Sequence, residues 1–152
     1  MPELVRQELV NVEVAFRAFG FQESDDAAVP VPFGENFQWG VFLQGHERRL
    51  DLFSAGHTHT AAVEVRVWTA SPPPAKRSWD EHGEVDFETT TGELAVWTMT
   101  LGRSAQVIRL GRREWWRVRV GCTGREEVAR VTRRDGVAYG VERYVIDFWP
   151  KA

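Results

Sequence analysis

The sequence predicts an all-β fold: one single-domain antiparallel β-sandwich, jelly-roll-like, with about nine strands and little helix. Three observations carry that prediction. Nearly every periodic stretch alternates apolar and polar residues with period two, the mark of a half-buried strand. Turn formers interrupt these stretches at intervals of roughly 8–15 residues. The composition supplies a core, with 43% hydrophobic residues and seven Trp in 152 residues. A chain of that length fits one domain over residues 1–152 and needs no covalent staples.

Taken in order, helical signal is weak everywhere except over Glu3 to Leu9, where a helix is one reading open to the chain. Val10, Val12, Val14, Phe16 and Ala18 then share one face of a strand, with Asn11, Glu13 and Arg17 on the other. Asp25 to Pro32 reads as a polar loop. Trp39 to Leu43 and Leu50 to Phe53 read as short strands around the charged turn 45–49. Ala61, Val63, Val65 and Val67 alternate with Ala62, Glu64, Arg66 and Trp68. Pro72-Pro73-Pro74 ends that strand, because proline has no N–H for the ladder. The run favours an extended crossover, with a passage between sheets as one course open to it.

In the second half, Val85 and Phe87 face inward between Glu84, Asp86 and Glu88. Thr91-Gly92-Glu93 is a turn. Leu94 to Leu101 and Ala105 to Leu110 make a hairpin around Gly102-Arg103. Trp116, Val118, Val120 and Cys122 line one face of a strand. Glu126 to Arg133 has room for a short helical turn, and Tyr144, Ile146 and Phe148 form the last inward row.

Charge and cysteine content exclude several classes. The net charge of −3 excludes a strongly basic nucleic-acid binder. A single cysteine excludes a disulfide scaffold and a cysteine-based zinc cluster. The first residues lack the basic start and apolar run of a secretory signal, and no stretch approaches the ~20 apolar residues of a membrane helix. A cytoplasmic protein with no membrane partner is therefore expected. Residues 1–99 carry seven Lys/Arg against sixteen Asp/Glu, whereas residues 100–152 carry twelve against six. These charges either pair across strands or segregate into a surface that steers a charged partner.

Four groups of residues are candidates for chemistry. His57-Thr58-His59 places two imidazoles at i and i+2, on one face if the segment is a strand, and Glu64 follows. The run His57-x-His59-x4-Glu64 resembles the first metal motif of the cupins. The glycine expected six residues before it is Asp51, and His82 lacks the second motif around it. Next, Glu84, Asp86 and Glu88 form an acidic row spaced by ~6.6 Å, with Asp80 and Glu81 at its entrance. Such a row is a solvated face, a partner surface for a basic protein, or a site of acid–base work. Third, Arg109, Arg112, Arg113, Trp115, Trp116, Arg117 and Arg119 interleave bases and aromatics, as single-strand binders do. The alternation nevertheless places Trp116 in the core, so nucleic acid is not the expected partner. Last, Cys122 falls on a core face, where a thiol packs rather than reacts. No nucleophile elbow, P-loop or dinucleotide fingerprint is present.

Several segments together resemble a family of small, mostly uncharacterised proteins from high-GC bacteria. They are Thr60-Ala61-Ala62-Val63-Glu64-Val65, Pro72-Pro73-Pro74, Trp79-Asp80-Glu81 with Glu84-Val85, Gly92-Glu93-Leu94, Trp116 to Val120, Gly124-Arg125, and Glu142 to Pro150. The resemblance spans roughly residues 40–150 and implies no particular activity. The strand order and closing Tyr-containing strand are more distantly similar to the competence protein J family. Members of that family inhibit a nuclease, so the resemblance implies a non-enzymatic β-sandwich that blocks an active site. No inhibitory residue carries over, because no short motif aligns residue by residue.

The reading that results is a non-enzymatic inhibitor or immunity-type protein without a cofactor. It would contact a basic partner such as a nuclease through Asp80, Glu81, Glu84, Asp86 and Glu88. The alternative is a cupin-like β-barrel holding one divalent metal ion, or a small molecule, on His57, His59 and Glu64.

Overall fold

The computed structural model describes residues 1–25, 37–74, 78–98 and 102–151. Within them lie ten strands and one helix: β1 (Leu4–Val14), β2 (Ala18–Glu23), β3 (Leu43–His46), β4 (Arg49–Phe53), β5 (His59–Trp68), β6 (Glu81–Glu88), β7 (Glu93–Thr98), β8 (Gly102–Arg109), β9 (Trp115–Thr123), α1 (Arg125–Asp135) and β10 (Tyr139–Pro150). They form two five-stranded sheets, ordered β1-β5-β10-β9-β6 and β3-β4-β2-β7-β8. The all-β sandwich is as expected. The pairing is antiparallel throughout except for β5 with β10, which run parallel.

Alternation builds the core. Ala61, Val63, Val65 and Val67 of β5 are buried, as are Trp116, Val118, Val120 and Cys122 of β9 and Tyr144, Ile146 and Phe148 of β10. These meet Phe19, Phe21, Leu50, Leu52, Leu94, Val96 and Ile108 of the second sheet in one continuous cluster. Burying a side chain of that size contributes about 1.5–3 kcal/mol, so the facing rows are the main attraction between the two sheets.

Several expectations are corrected. Residues from Leu4 onward are strand, not helix; they pair with β5 from Leu4↔Trp68 to Val14↔His59. The first strand does not run through to Ala18. It breaks at Phe16 and Arg17, which have φ of 53° and 64°, so the chain turns and β2 enters the other sheet. Trp39 is an exposed loop residue, and β3 starts only at Leu43. The proline run joins β5 to β6 within one sheet; it does not pass between sheets. It lies over that sheet's outer face, where Arg119 donates to the Pro73 carbonyl at 3.0 Å. The anticipated helical turn is a full helix, α1, of 11 residues. Most of the anticipated loop 25–32 and residues 99–101 of the expected hairpin lie outside the described residues.

The sandwich is closed on one side. There the edge strands β3 and β6 approach, and Arg48 N–H donates to the Glu88 carbonyl at 2.8 Å. Gly45 permits the approach, since a Cβ there would sit 2.3 Å from the Asp86 carbonyl oxygen.

Candidate functional site

Two groupings of chemistry-bearing side chains stand out, one inside the sandwich and one on its closed edge. The inner one begins where β4 ends. Ser54 is fully buried and donates to Glu142 Oε1 at 2.6 Å. Its oxygen also accepts from Gly56 N–H at 3.1 Å and meets His59 Nε2 at 2.7 Å. With the Ser54 proton committed to Glu142, His59 Nε2 must be the donor in that pair. Glu142, on β10, further accepts from Tyr144 at 2.8 Å, Ala55 N–H at 3.0 Å and Arg125 at 3.3 Å. One carboxylate thus ties the end of the second sheet to β5, β10 and the start of α1. Gly124 lets α1 start there, with φ of 80° and no room for a Cβ beside the Val141 carbonyl.

Chemically this is a clasp. A nucleophilic serine would donate its proton to the histidine, whereas here the histidine donates to the serine. Burial holds the His59 imidazole below its ordinary pKa, with Glu142 pulling the other way. Burial and then the Glu142 charge push the neighbouring Cys122 thiol up to about 12, so it stays protonated and inert, in keeping with its core position.

The metal reading on His57, His59 and Glu64 does not survive this geometry. His59 is turned into the clasp. His57 lies in the preceding loop, bonded to Thr58 and edge-on to Phe16. Glu64 is an odd number of residues along β5 from His59 and so faces the opposite side, where Gln7 donates to it at 2.6 Å. Among the described residues, no group of three or more His, Cys, Asp or Glu side chains is placed to hold a metal ion. The i, i+2 rule does not apply, because the strand begins at His59 itself.

The second grouping is the acidic stretch on β6, an edge of the first sheet. Glu84, Asp86 and Glu88 do share the outward face, with Phe87 buried and Val85 packed behind them. The structure separates the five residues by their partners. Asp80 accepts from Gly124 and Arg125 N–H at 2.8 and 3.2 Å, anchoring the start of α1. Glu81 falls on the other parity of β6 and is exposed beyond the core. Glu84 and Asp86 are bound by Arg117 at 3.2 and 2.7 Å, and Asp86 also by Lys151 at 2.7 Å. The Lys151 and Arg117 hydrogen bonds hold the Asp86 carboxyl below its ordinary pKa. Cross-strand pairing therefore absorbs part of the charge asymmetry between the two halves of the chain, through Glu84, Asp86 and Glu93.

Glu88 differs. Desolvation, then the Glu47 charge and a hydrogen bond and charge from the Glu114 carboxyl, push its pKa up, with Arg48 pulling more weakly the other way. Three carboxylates thus crowd the closed edge: Glu47 after β3, Glu88 at the end of β6, and Glu114 just before β9. Sequence spacing brings in neither Glu47 nor Glu114. Their convergence depends on the parallel bridge Glu47↔Glu88, which no local pattern announces.

The Arg–aromatic stretch is likewise divided. Trp116 is buried and donates to the Arg113 carbonyl at 2.9 Å. Arg119 joins Arg66 and the Trp68 indole on the buried Asp147 carboxylate. Arg109 pairs with Glu93. Trp115 is 46% exposed, with the Lys151 ammonium 5.8 Å from its ring centroid. Of the two adjacent tryptophans, Trp116 belongs to the core and Trp115 lies at the surface.

No protein-family model and no curated protein sequence matches the chain. Solved structures do match in fold. ComJ from Bacillus subtilis, described as an inhibitor of the DNA degrading activity of NucA, has a TM-score of 0.67 at 12% identity, with 99% of each chain covered. The chain has a ComJ-like fold. The protein described as crocagin biosynthetic gene J has a TM-score of 0.61 at 15% identity, over 97% of this chain and all of its own. The ComJ-like fold thus extends over the whole sandwich, including both sheets and α1. Among the described residues no helix is long and apolar enough to cross a membrane.

Proposed function

We propose that the chain is a non-enzymatic binding protein of inhibitor type that blocks a basic protein partner, most concretely a nuclease. The observation that carries this reading is the whole-chain likeness to ComJ, an inhibitor of DNA degrading activity. The contact surface we assign is the closed edge around Glu88, Glu47 and Glu114; Glu81, at the far end of β6 and on its other face, is left out of it. Glu84 and Asp86, already neutralised by Arg117 and Lys151, shape this edge but contribute little free charge. Crowded carboxylates repel one another, and a lysine- or arginine-rich partner relieves that repulsion on docking.

The test uses the full chain added to a lysate of its source cells, with plasmid DNA as substrate. DNA degradation should fall as the chain is added and level off at a fixed stoichiometry. Glu88→Lys with Glu47→Lys should weaken that effect by at least about tenfold, whereas Glu84→Gln should not. Unchanged degradation at saturating chain would overturn the inhibitor reading. Inhibition that ignores the double charge reversal would move the contact surface elsewhere.

A further inference from the structure

The opposite edge of the first sheet is β1, whose only strand pairing among the described residues is with β5. Its first half extends past the cover of the second sheet. Residues 4–7 and 9 are exposed and Glu8 is half-buried, whereas Val10, Val12 and Val14 are buried. Three apolar side chains stand on this stretch: Leu4, 43% exposed, Val5, 57%, and Leu9, 79%. An edge strand with open backbone groups and exposed apolar side chains is a template for another strand. Proteins usually blunt such an edge with charge. Here the charges are Arg6 and Glu8, one of each sign, two residues apart on one face.

That arrangement is self-complementary. In an antiparallel pair related by a two-fold axis, residue i of one copy faces residue j of the other, with i + j constant. When the axis passes through Gln7, Gln7 faces Gln7, Arg6 faces Glu8, Glu8 faces Arg6, Val5 faces Leu9 and Leu9 faces Val5. Every charge then meets its opposite, every apolar side chain meets an apolar one, and the two Gln7 residues lie at the axis, each with its amide on Glu64 of its own chain. Moving the axis one residue either way sets Arg6 against Arg6 or Glu8 against Glu8. Like charges directly opposite are destabilising, so the sequence selects one register. Val5 sits at the bulge between Leu4 and Arg6, so the regular part of the pairing runs over residues 6–8 and the Val5–Leu9 contacts close it at each end.

We infer that the chain forms a two-fold dimer through antiparallel pairing of β1 with β1 of a second copy, centred on Gln7. The first sheets of the two copies then make one continuous sheet. Because β1 and β6 are opposite edges of the sheet, the dimer leaves both acidic edges facing outward, so it does not compete with the surface assigned above.

Sedimentation equilibrium of the purified full chain tests this, with charge-reversal variants as the discriminating arm. The wild type should dimerise, and Arg6→Glu alone and Glu8→Arg alone should each be monomeric. An equimolar mixture of those two variants should dimerise again. One chain then carries two acids on the pairing stretch and the other two bases, so every charge again meets its opposite. Restoration on mixing separates pairing between copies from any effect within one chain. A Gln7→Cys variant adds a covalent check. The native Cys122 is buried, so the new thiol is the accessible one, and it should cross-link with itself under mild oxidation. A wild type that stays monomeric across the concentration range would overturn the inference. So would a dimer that survives both single reversals, or a mixture that stays monomeric.

Discussion

Glu142 and Glu88 are both carboxylates on strands of the first sheet, and the fold treats them in opposite ways. Glu142 is fully buried and accepts from Ser54, Tyr144, Ala55 and Arg125. Glu88 sits at an edge, crowded by Glu47 and Glu114, and its pKa is raised by desolvation and their charge. The first is a structural part whose removal leaves polar groups stranded. The second adds like-charge repulsion to the free molecule, which a partner would relieve under the function proposed above. A buried acid with its hydrogen bonds met marks architecture, and an edge acid without a bonded cation marks a candidate contact.

The sharpest way to break that comparison is Glu142→Ala. The change removes the shared acceptor of the buried Ser54 and Tyr144 hydroxyls, and one partner each of the half-buried Arg125 guanidinium and Ala55 N–H. Removing one partner of a buried, hydrogen-bonded charge costs about 3–5 kcal/mol, enough to unfold a marginal domain. Urea denaturation followed by tryptophan fluorescence should show a midpoint far below the wild type. A loss under about 1 kcal/mol would mean the clasp is a bystander.

A second, smaller effect comes from pH. Burial holds His59 below its ordinary value of 6.5, so the unfolded chain takes up the proton first. The stability that neutral His59 allows is present above about pH 6.5 and is lost as pH falls below it. The limiting slope is about 1.4 kcal/mol per pH unit for one histidine. His46 is lowered as well, first by burial, and adds a slope of the same sign. Urea midpoints measured from pH 7.5 to 5 should therefore fall, and His59→Asn should remove part of that fall. A variant that keeps the full wild-type slope would show that His59 does not carry the effect.

The same contrast explains what can be read from the amino acids alone. β5 and most of β9 are legible, because they bury alternate residues and period two is visible within one segment. The break at Phe16 is not legible, because Val14, Phe16 and Ala18 continue the period through a turn made by backbone at positive φ. The first half of β1 reads as helix because its side chains are exposed on both faces, so no alternation marks it. The acidic row is visible as a local spacing. Its compensation by Arg117 and Lys151 is not, since those partners lie tens of residues away and meet it only through sheet register. Ser54 and Glu142 are 88 positions apart, and nothing near either residue announces the other.

The least effect should come from the surface itself, and its sign matters more than its size. Arg117 is partly exposed and bridges Glu84 and Asp86. Exposed pairs are worth little, so Arg117→Ala should lower the urea midpoint only slightly. That difference should vanish at about 1 M salt, where screening acts over ~3 Å. Glu88→Gln should move the midpoint the other way, because it removes one of three crowded carboxylates and, among the described residues, no bond to a cation. Opposite signs from two neighbouring positions on one face would separate charge that the fold has used from charge that it has left over. If Glu88→Gln instead lowers the midpoint, Glu88 is held by the fold as Glu84 and Asp86 are. The closed edge would then lose its main claim to be the surface that meets a partner.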